Sequence, residues 1–80
     1  MIKVHILTPV SSRSIEAEAV FLPGTRSPFE VLPGHAPIIS SLEAGRIRWR
    51  DTEGKEDGLD IRSGLVRVKD DEITACVELA

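Results

Sequence analysis

Two Leu-Pro-Gly strings stand ten residues apart, at Leu22-Pro23-Gly24 and Leu32-Pro33-Gly34, and they constrain the path of the chain more than anything else in it. Proline presets φ for the second position of a tight turn, and glycine accepts the positive φ that a type II turn needs at the third. The span from Val20 to Ser41 is therefore predicted as strand, turn, strand, turn, strand. Its structural turn residues are Pro23, Gly24, Pro33, Gly34 and Pro37. Both glycines are expected at positive φ or in loops with no room for a Cβ.

The remainder reads as strand after strand. Residues 2–8 alternate Ile2, Val4, Ile6 against Lys3, His5, Leu7, and Pro9 ends the pairing because it has no N–H for a ladder. Residues 14–22 alternate Ile15, Ala17, Ala19, Phe21 against Ser14, Glu16, Glu18, Val20; period two and the closing Pro23-Gly24 favour strand over helix. Short strands are predicted over 29–32, 38–42 and 46–50, then a polar hairpin tip over 51–58. A strand over 59–69 is interrupted at Ser63-Gly64, Asp70-Asp71 turns, and 72–79 alternates Ile73, Ala75, Val77, Leu79 against Glu72, Thr74, Cys76, Glu78. Short strands at close spacing with Gly and Pro turns mean an all-β sandwich or barrel. Nothing marks a linker or a repeat, so residues 1–80 are read as one domain.

Composition narrows the function. A net charge of -3 argues against a general nucleic-acid binder. One cysteine, Cys76, allows no internal disulfide and no thiolate pair for zinc, which suits a reducing compartment. No apolar run reaches the ~18 residues of a membrane span. Met1-Ile2-Lys3-Val4-His5 lacks the long apolar stretch of a signal peptide, so direct membrane insertion is not expected.

The inventory of reactive groups is thin. No phosphate-cradling or dinucleotide glycine motif is present. His5 and His35 have no metal-ligand spacing, and Cys76 falls on the polar face of its strand with no positioned base. Two features stand out. Arg46, Arg48 and Arg50 alternate with Ile47 and Trp49, either as a solvated face over a core that Trp49 fills or as a basic stripe for a partner. His35 sits between Pro33 and Pro37, either bonding its own loop or serving as the stiff tip of a contact loop.

Several strings together resemble a known family: Val20-Phe21-Leu22-Pro23-Gly24; Phe29-Glu30-Val31-Leu32-Pro33-Gly34-His35-Ala36-Pro37-Ile38-Ile39; Gly45-Arg46-Ile47-Arg48; Ile61-Arg62-Ser63-Gly64-Leu65-Val66-Arg67-Val68; and Ile73-Thr74-Ala75. In order and spacing, over essentially the whole chain, they are similar to the N-terminal domain of the ε subunit of bacterial F-type ATP synthases. The resemblance implies a flattened, mostly antiparallel β-sandwich of about ten short strands. It implies a non-catalytic rotor subunit of the central stalk, with no cofactor and no small-molecule substrate. Its partners would be the γ subunit and the c-ring, at the cytoplasmic face of the bacterial inner membrane, where it helps couple proton flow to ATP synthesis. An apolar patch on the outer face of one sheet is then expected.

The implied c-ring contacts are Arg26, Ser27, Phe29, Glu30 and His35, gathered at one end of the sandwich. This chain departs from the family there. The usual Gly-acid-Phe-Gly reads Ser27-Pro28-Phe29-Glu30, so the acidic contact has either moved to Glu30 or been lost. Val77-Glu78-Leu79-Ala80 ends where the family's C-terminal helical hairpin would begin, so inhibition of hydrolysis and ATP binding do not carry over to these residues. Two readings from other classes stay open: a β-sandwich binding module with an unrelated protein partner, and a small hydrolase using His35.

Overall fold

The computed structural model describes residues 1–80 as eight β-strands and no helix. They are β1 (Ile2–Leu7), β2 (Ser12–Ala17), β3 (Ala19–Leu22), β4 (Phe29–Val31), β5 (Ile38–Leu42), β6 (Gly45–Arg50), β7 (Glu56–Lys69) and β8 (Glu72–Leu79). Hydrogen bonding runs β2-β1-β8-β7-β6-β3-β4, with β5 also on β7, and only β1 with β8 is parallel. β7 belongs to two layers. Its first half, Glu56–Ile61, pairs β6, whereas its second half, from Ser63 on, lies between β5 and β8. The register slips between Ile61 and Ser63, and such a bulge lets one strand bend from one layer to the next. β2, β1, β8, the second half of β7 and β5 form the first layer; the first half of β7, β6, β3 and β4 form the second.

This is the β-sandwich expected from the alternation. The strand count is eight where the resemblance implies about ten, partly because β7 runs through both layers unbroken. Ser63-Gly64 bends that strand without ending it. The polar tip is also shorter than residues 51–58: Glu56–Gly58 already pair with Arg50–Arg48, which leaves 51–55 as the turn. Asp51 closes it, its Oδ1 accepting from the Glu53 and Lys55 amides at 2.9 Å each.

The 14–22 strand is two strands, and its phase reverses at Glu18. Ile15 and Ala17 face inward before the break, but Val20 and Leu22 are buried after it, and Phe21 turns outward. Arg50 holds the break from both sides. The Glu18 N–H donates to the Arg50 carbonyl at 2.9 Å, and the Arg50 guanidinium meets the Glu18 carboxylate at 2.8 Å. Leu79 also departs from its predicted phase and is exposed.

The core draws Ile2, Val4, Ile6, Val66, Val68, Ile73 and Val77 from the first layer and Val20, Leu22, Val31, Ile47 and Trp49 from the second. No polar or charged side chain is buried among them. Trp49 fills the interior as its alternation implies, and Arg13 on β2 covers it, 5.2 Å from the ring centroid and 3.6 Å from Asp57. That contact closes one mouth of the sandwich. Across from it, a Gly24–Leu42 bridge and the Thr25 N–H on the Ser41 carbonyl, 3.1 Å, tie β5 to the segment after β3.

The two Pro-Gly strings form different turns. Gly34 takes φ +83°, and the His35 N–H reaches the Leu32 carbonyl at 3.1 Å, as a type II turn requires. Gly24 keeps an ordinary φ; its N–H bonds Leu22 two residues back at 3.0 Å, a three-residue turn centred on Pro23. Gly24 is required there by space, since a Cβ would lie 2.6 Å from the Ser27 carbonyl oxygen and 3.0 Å from the Phe29 ring. Gly24→Val should thus destabilise by about 1–3 kcal/mol through over-packing. Gly34→Ala, with open space around it, should cost about 1–2 kcal/mol through its left-handed φ alone. Urea unfolding midpoints measure both, and an unchanged midpoint for Gly24→Val would remove the packing account.

Candidate functional site

The Pro33-Gly34-His35 loop is anchored at long range. Asp70 and Asp71 turn the β7–β8 hairpin at φ 53° and 58°, the two left-handed positions of a type I′ turn, which aspartate tolerates better than most residues. From that turn the Asp71 carboxylate accepts the Gly34 N–H at 2.7 Å, and the Asp71 carbonyl accepts the Lys3 N–H at 3.0 Å. One residue therefore joins the hairpin, the start of β1 and the proline loop. Within the loop the His35 Nδ1 lies 2.7 Å from the Ala36 carbonyl, so the ring bonds its own backbone and is half-exposed.

The other contact residues lie along the β3–β4 connection and β4. Arg26 and Ser27 are exposed, Phe29 packs partly against the core, and Glu30 is exposed opposite Phe21. Phe21, Pro23, Pro28, Phe29, Arg46 and Arg48 line an open groove with Glu30 at its rim. Arg48 stacks over Phe21 at 4.7 Å. No hydrogen bond or ion pair joins the 26–30 stretch to His35.

The arginine stripe is largely internally neutralised. Arg46 pairs Asp60 at 3.2 Å, Arg48 pairs Glu56 at 3.9 Å and Arg50 pairs Glu18. The outer face of the first layer differs. Its register sets Leu7, Cys76 and Leu65 side by side on β1, β8 and β7. Pro9 borders the same hollow, and Ile39, 70% accessible, stands on β5 opposite Arg67, two residues along β7 from Leu65. Leu65 itself is 54% accessible. Contiguous exposed apolar surface on a sheet face is the kind of surface on which partners dock. Leu65 and Ile39 fall within the strings that carry the resemblance but have no contact role there; the signal of the patch is an apolar residue on the polar phase of a strand, at Leu7 and Leu65. No three His, Cys, Asp or Glu side chains gather as a metal site would require, and there is no helix to cross a membrane.

Residues 1–80 match the model of the ATP synthase, Delta/Epsilon chain, beta-sandwich domain. The chain belongs to that family. Among curated relatives, an ATP synthase epsilon chain of Desulforapulum autotrophicum is 36% identical over 96% of this chain and 58% of its own length. One of Desulfitobacterium hafniense is 42% identical over 81% of this chain and 48% of its own. This family domain thus spans about half the length of the curated relatives it matches. In fold, it superposes on a chain of the Euglena gracilis mitochondrial ATP synthase, OSCP/F1/c-ring, with TM-score 0.88 at 19% identity, over 95% of this chain and 49% of that one. A chain of the Tetrahymena thermophila mitochondrial ATP synthase central stalk/c-ring gives TM-score 0.81 at 14% identity, over 96% and 63%.

In this member of the family, the Asp71 carboxylate should decide how well the His35 loop is ordered. Asp71→Asn retains an oxygen acceptor and a side chain that tolerates positive φ. Asp71→Ala loses both and should cost about 1–2 kcal/mol, with faster exchange of the Gly34 amide proton. Equal Gly34 exchange in the two variants would contradict this anchoring.

Proposed function

We propose that this domain is a non-catalytic module of the F-type ATP synthase rotor. Its first layer's outer face docks on γ, and its proline-stiffened loops meet the c-ring. The observation that carries the reading is the Leu7–Cys76–Leu65 row on the outer sheet face, with Pro9 beside it and Ile39 on the neighbouring strand. A rotor element has to bind firmly on one side and stay rigid under torque. A sandwich whose mouth is pinned by Arg13 on Trp49 and whose far edge is tied through Gly24 and Leu42 suits that demand. Its work is mechanical: it couples proton flow to ATP synthesis by joining stalk to ring. The domain acts at the cytoplasmic face of the bacterial inner membrane, held there by its partners.

At the ring, Arg26, Ser27, Phe29, Glu30 and His35 supply the contacts. Glu30 takes over the acidic role that Pro28 cannot fill, and it is free to do so because it makes no ion pair within this domain. The unrelated-partner reading is not favoured by the family match.

Rebinding of the chain to ATP synthase stripped of its own ε subunit tests this division. Leu65→Asp, at the centre of the patch, should weaken binding by about 2 kcal/mol or more, as a central anchor does. Glu30→Ala with His35→Ala should cost under about 1 kcal/mol per position, because exposed polar contacts contribute little each. If Leu65→Asp rebinds like the parent while staying folded, the docking face is elsewhere.

A further inference from the structure

The two layers have open edges at β2, β4, β5 and the first half of β7, and all but one carry a guard. A strand with unpaired N–H and C=O groups readily takes on a further strand, so edges are ordinarily blunted by charge, by shortness or by a covering loop. β2 carries Arg13 and Glu16, β4 is three residues long, and β7 opens with Glu56 and Asp57. β5 reads Ile38-Ile39-Ser40-Ser41-Leu42, with neither charge nor proline inside it. Its second half is covered: the Ser41 carbonyl accepts the Thr25 N–H at 3.1 Å, and the Glu43 N–H donates to the Pro23 carbonyl at 2.9 Å. Its first half is bare. Backbone groups face alternately to the two sides of a strand, so those of Ile39 share the side of Ser41 and Glu43, away from β7. The Ile39 N–H and C=O therefore point out of the sheet edge, and no loop bonds to either. Pro37, Ile38, Ile39 and Val68 line an open hollow there, together with Arg67 and Lys69. Neither cation makes an ion pair. Glu72 stands opposite Lys69 in register, but Arg67 has Thr74 on one side and Ile39 on the other, with no acid opposite it.

We infer that β5 accepts an extended, acid-bearing segment of γ as an added strand, its main chain bonded to Ile39 and its carboxylate on Arg67. The inference rests on the docking reading above, in which γ lies against the adjoining face. Ser41 is opposite Leu65 in register, so this edge is continuous with the Leu7–Cys76–Leu65 row. In strand addition the main-chain bonds hold the segment and the side-chain contacts select it. An added strand lies about 4.8 Å beyond β5 and so about 10 Å from β7, a gap that an arginine and a carboxylate side chain span together. Charge opposes a second copy as the occupant, because two β5 edges paired with each other bring Arg67 and Lys69 of both chains to one seam.

Amide hydrogen exchange and rebinding to ATP synthase stripped of its own ε subunit test this together. In the free parent chain the Ile39 amide should exchange fast, and on rebinding it should slow by about tenfold or more, as a newly paired strand amide does. Ile39→Pro removes the outward N–H without taking a bond from β7, and proline is tolerated at such an edge position. It should weaken rebinding about tenfold, the effect of one unmade main-chain bond. Ile39→Val keeps the N–H and should lose no more than about fourfold, the worth of one CH2 group. Arg67→Glu should weaken rebinding by about tenfold or more through like-charge contact. If Ile39→Pro fails to fold, exchange in the parent still decides. Unchanged Ile39 exchange on rebinding, where Leu65→Asp abolishes that rebinding, overturns strand addition and leaves the docking face standing. An Arg67→Glu variant that rebinds like the parent overturns the acidic segment. Protection of Ile39 in the chain alone, growing with its concentration, gives the edge to a second copy and overturns the assignment to γ. A Leu65→Asp variant that rebinds like the parent shows instead that the docking reading has failed, and the inference falls with it.

Discussion

A single bent strand has to serve two sheets at once, and the rest of this molecule depends on it. β7 is fourteen residues long, pairs β6 with its first half, and lies between β5 and β8 with its second. An eighty-residue chain buries only a little more than ~60% of the surface it exposes unfolded, so its core must be closed with few residues. Running one strand through both layers saves a connection and fixes how the layers face each other. The bulge at Arg62 sets the bend. Once it is set, Ile61 and Val66, on either side of it, meet the same core, and no polar side chain has to enter.

What the frame leaves outside explains the function. The interior is entirely apolar, so the polar and charged side chains all lie at the surface. Half of the basic side chains are used locally: Arg46, Arg48, Arg50, Arg13 and Arg62 each have an acidic neighbour. The apolar row on the first layer and the proline-braced loops are the places where we propose that a partner is met. Rigidity comes from the same features. Pro33 and Pro37 restrict the His35 loop from within, and Asp71 holds it from the opposite hairpin, so little entropy remains to be lost on binding.

Much of the fold was legible in alternation. The strands at 2–7, 45–50 and 72–79 fall where period two places them, 38–42 follows the second Pro-Gly turn, and Trp49 is in the core by its alternation. The reversal at Glu18 was not legible, because Ala19-Val20-Phe21-Leu22 is apolar in either phase; the choice was made by Arg50, thirty-two residues away. Nor could the two Pro-Gly strings be told apart locally. Gly34 has solvent around it and takes the left-handed turn, whereas Gly24 is pressed against Ser27 and Phe29 and does not. The bond from Gly34 to Asp71 spans thirty-seven residues and leaves no mark in sequence. Leu7 and Leu65 could be seen on polar phases, but that they are neighbours follows only from the registers of β1, β8 and β7.

The lone cysteine stands in the middle of the proposed docking row and offers the most direct measurement. Cys76 is exposed in the isolated chain. Its maleimide labelling rate should be high in the free chain and strongly suppressed when the chain is rebound to stripped ATP synthase. A control cysteine on the second layer's outer face, Asp60→Cys in a Cys76→Ser background, should label at similar rates in both states. Equal labelling of Cys76 free and bound, or protection of position 60 instead, would contradict the assignment of the first layer as the face that holds γ.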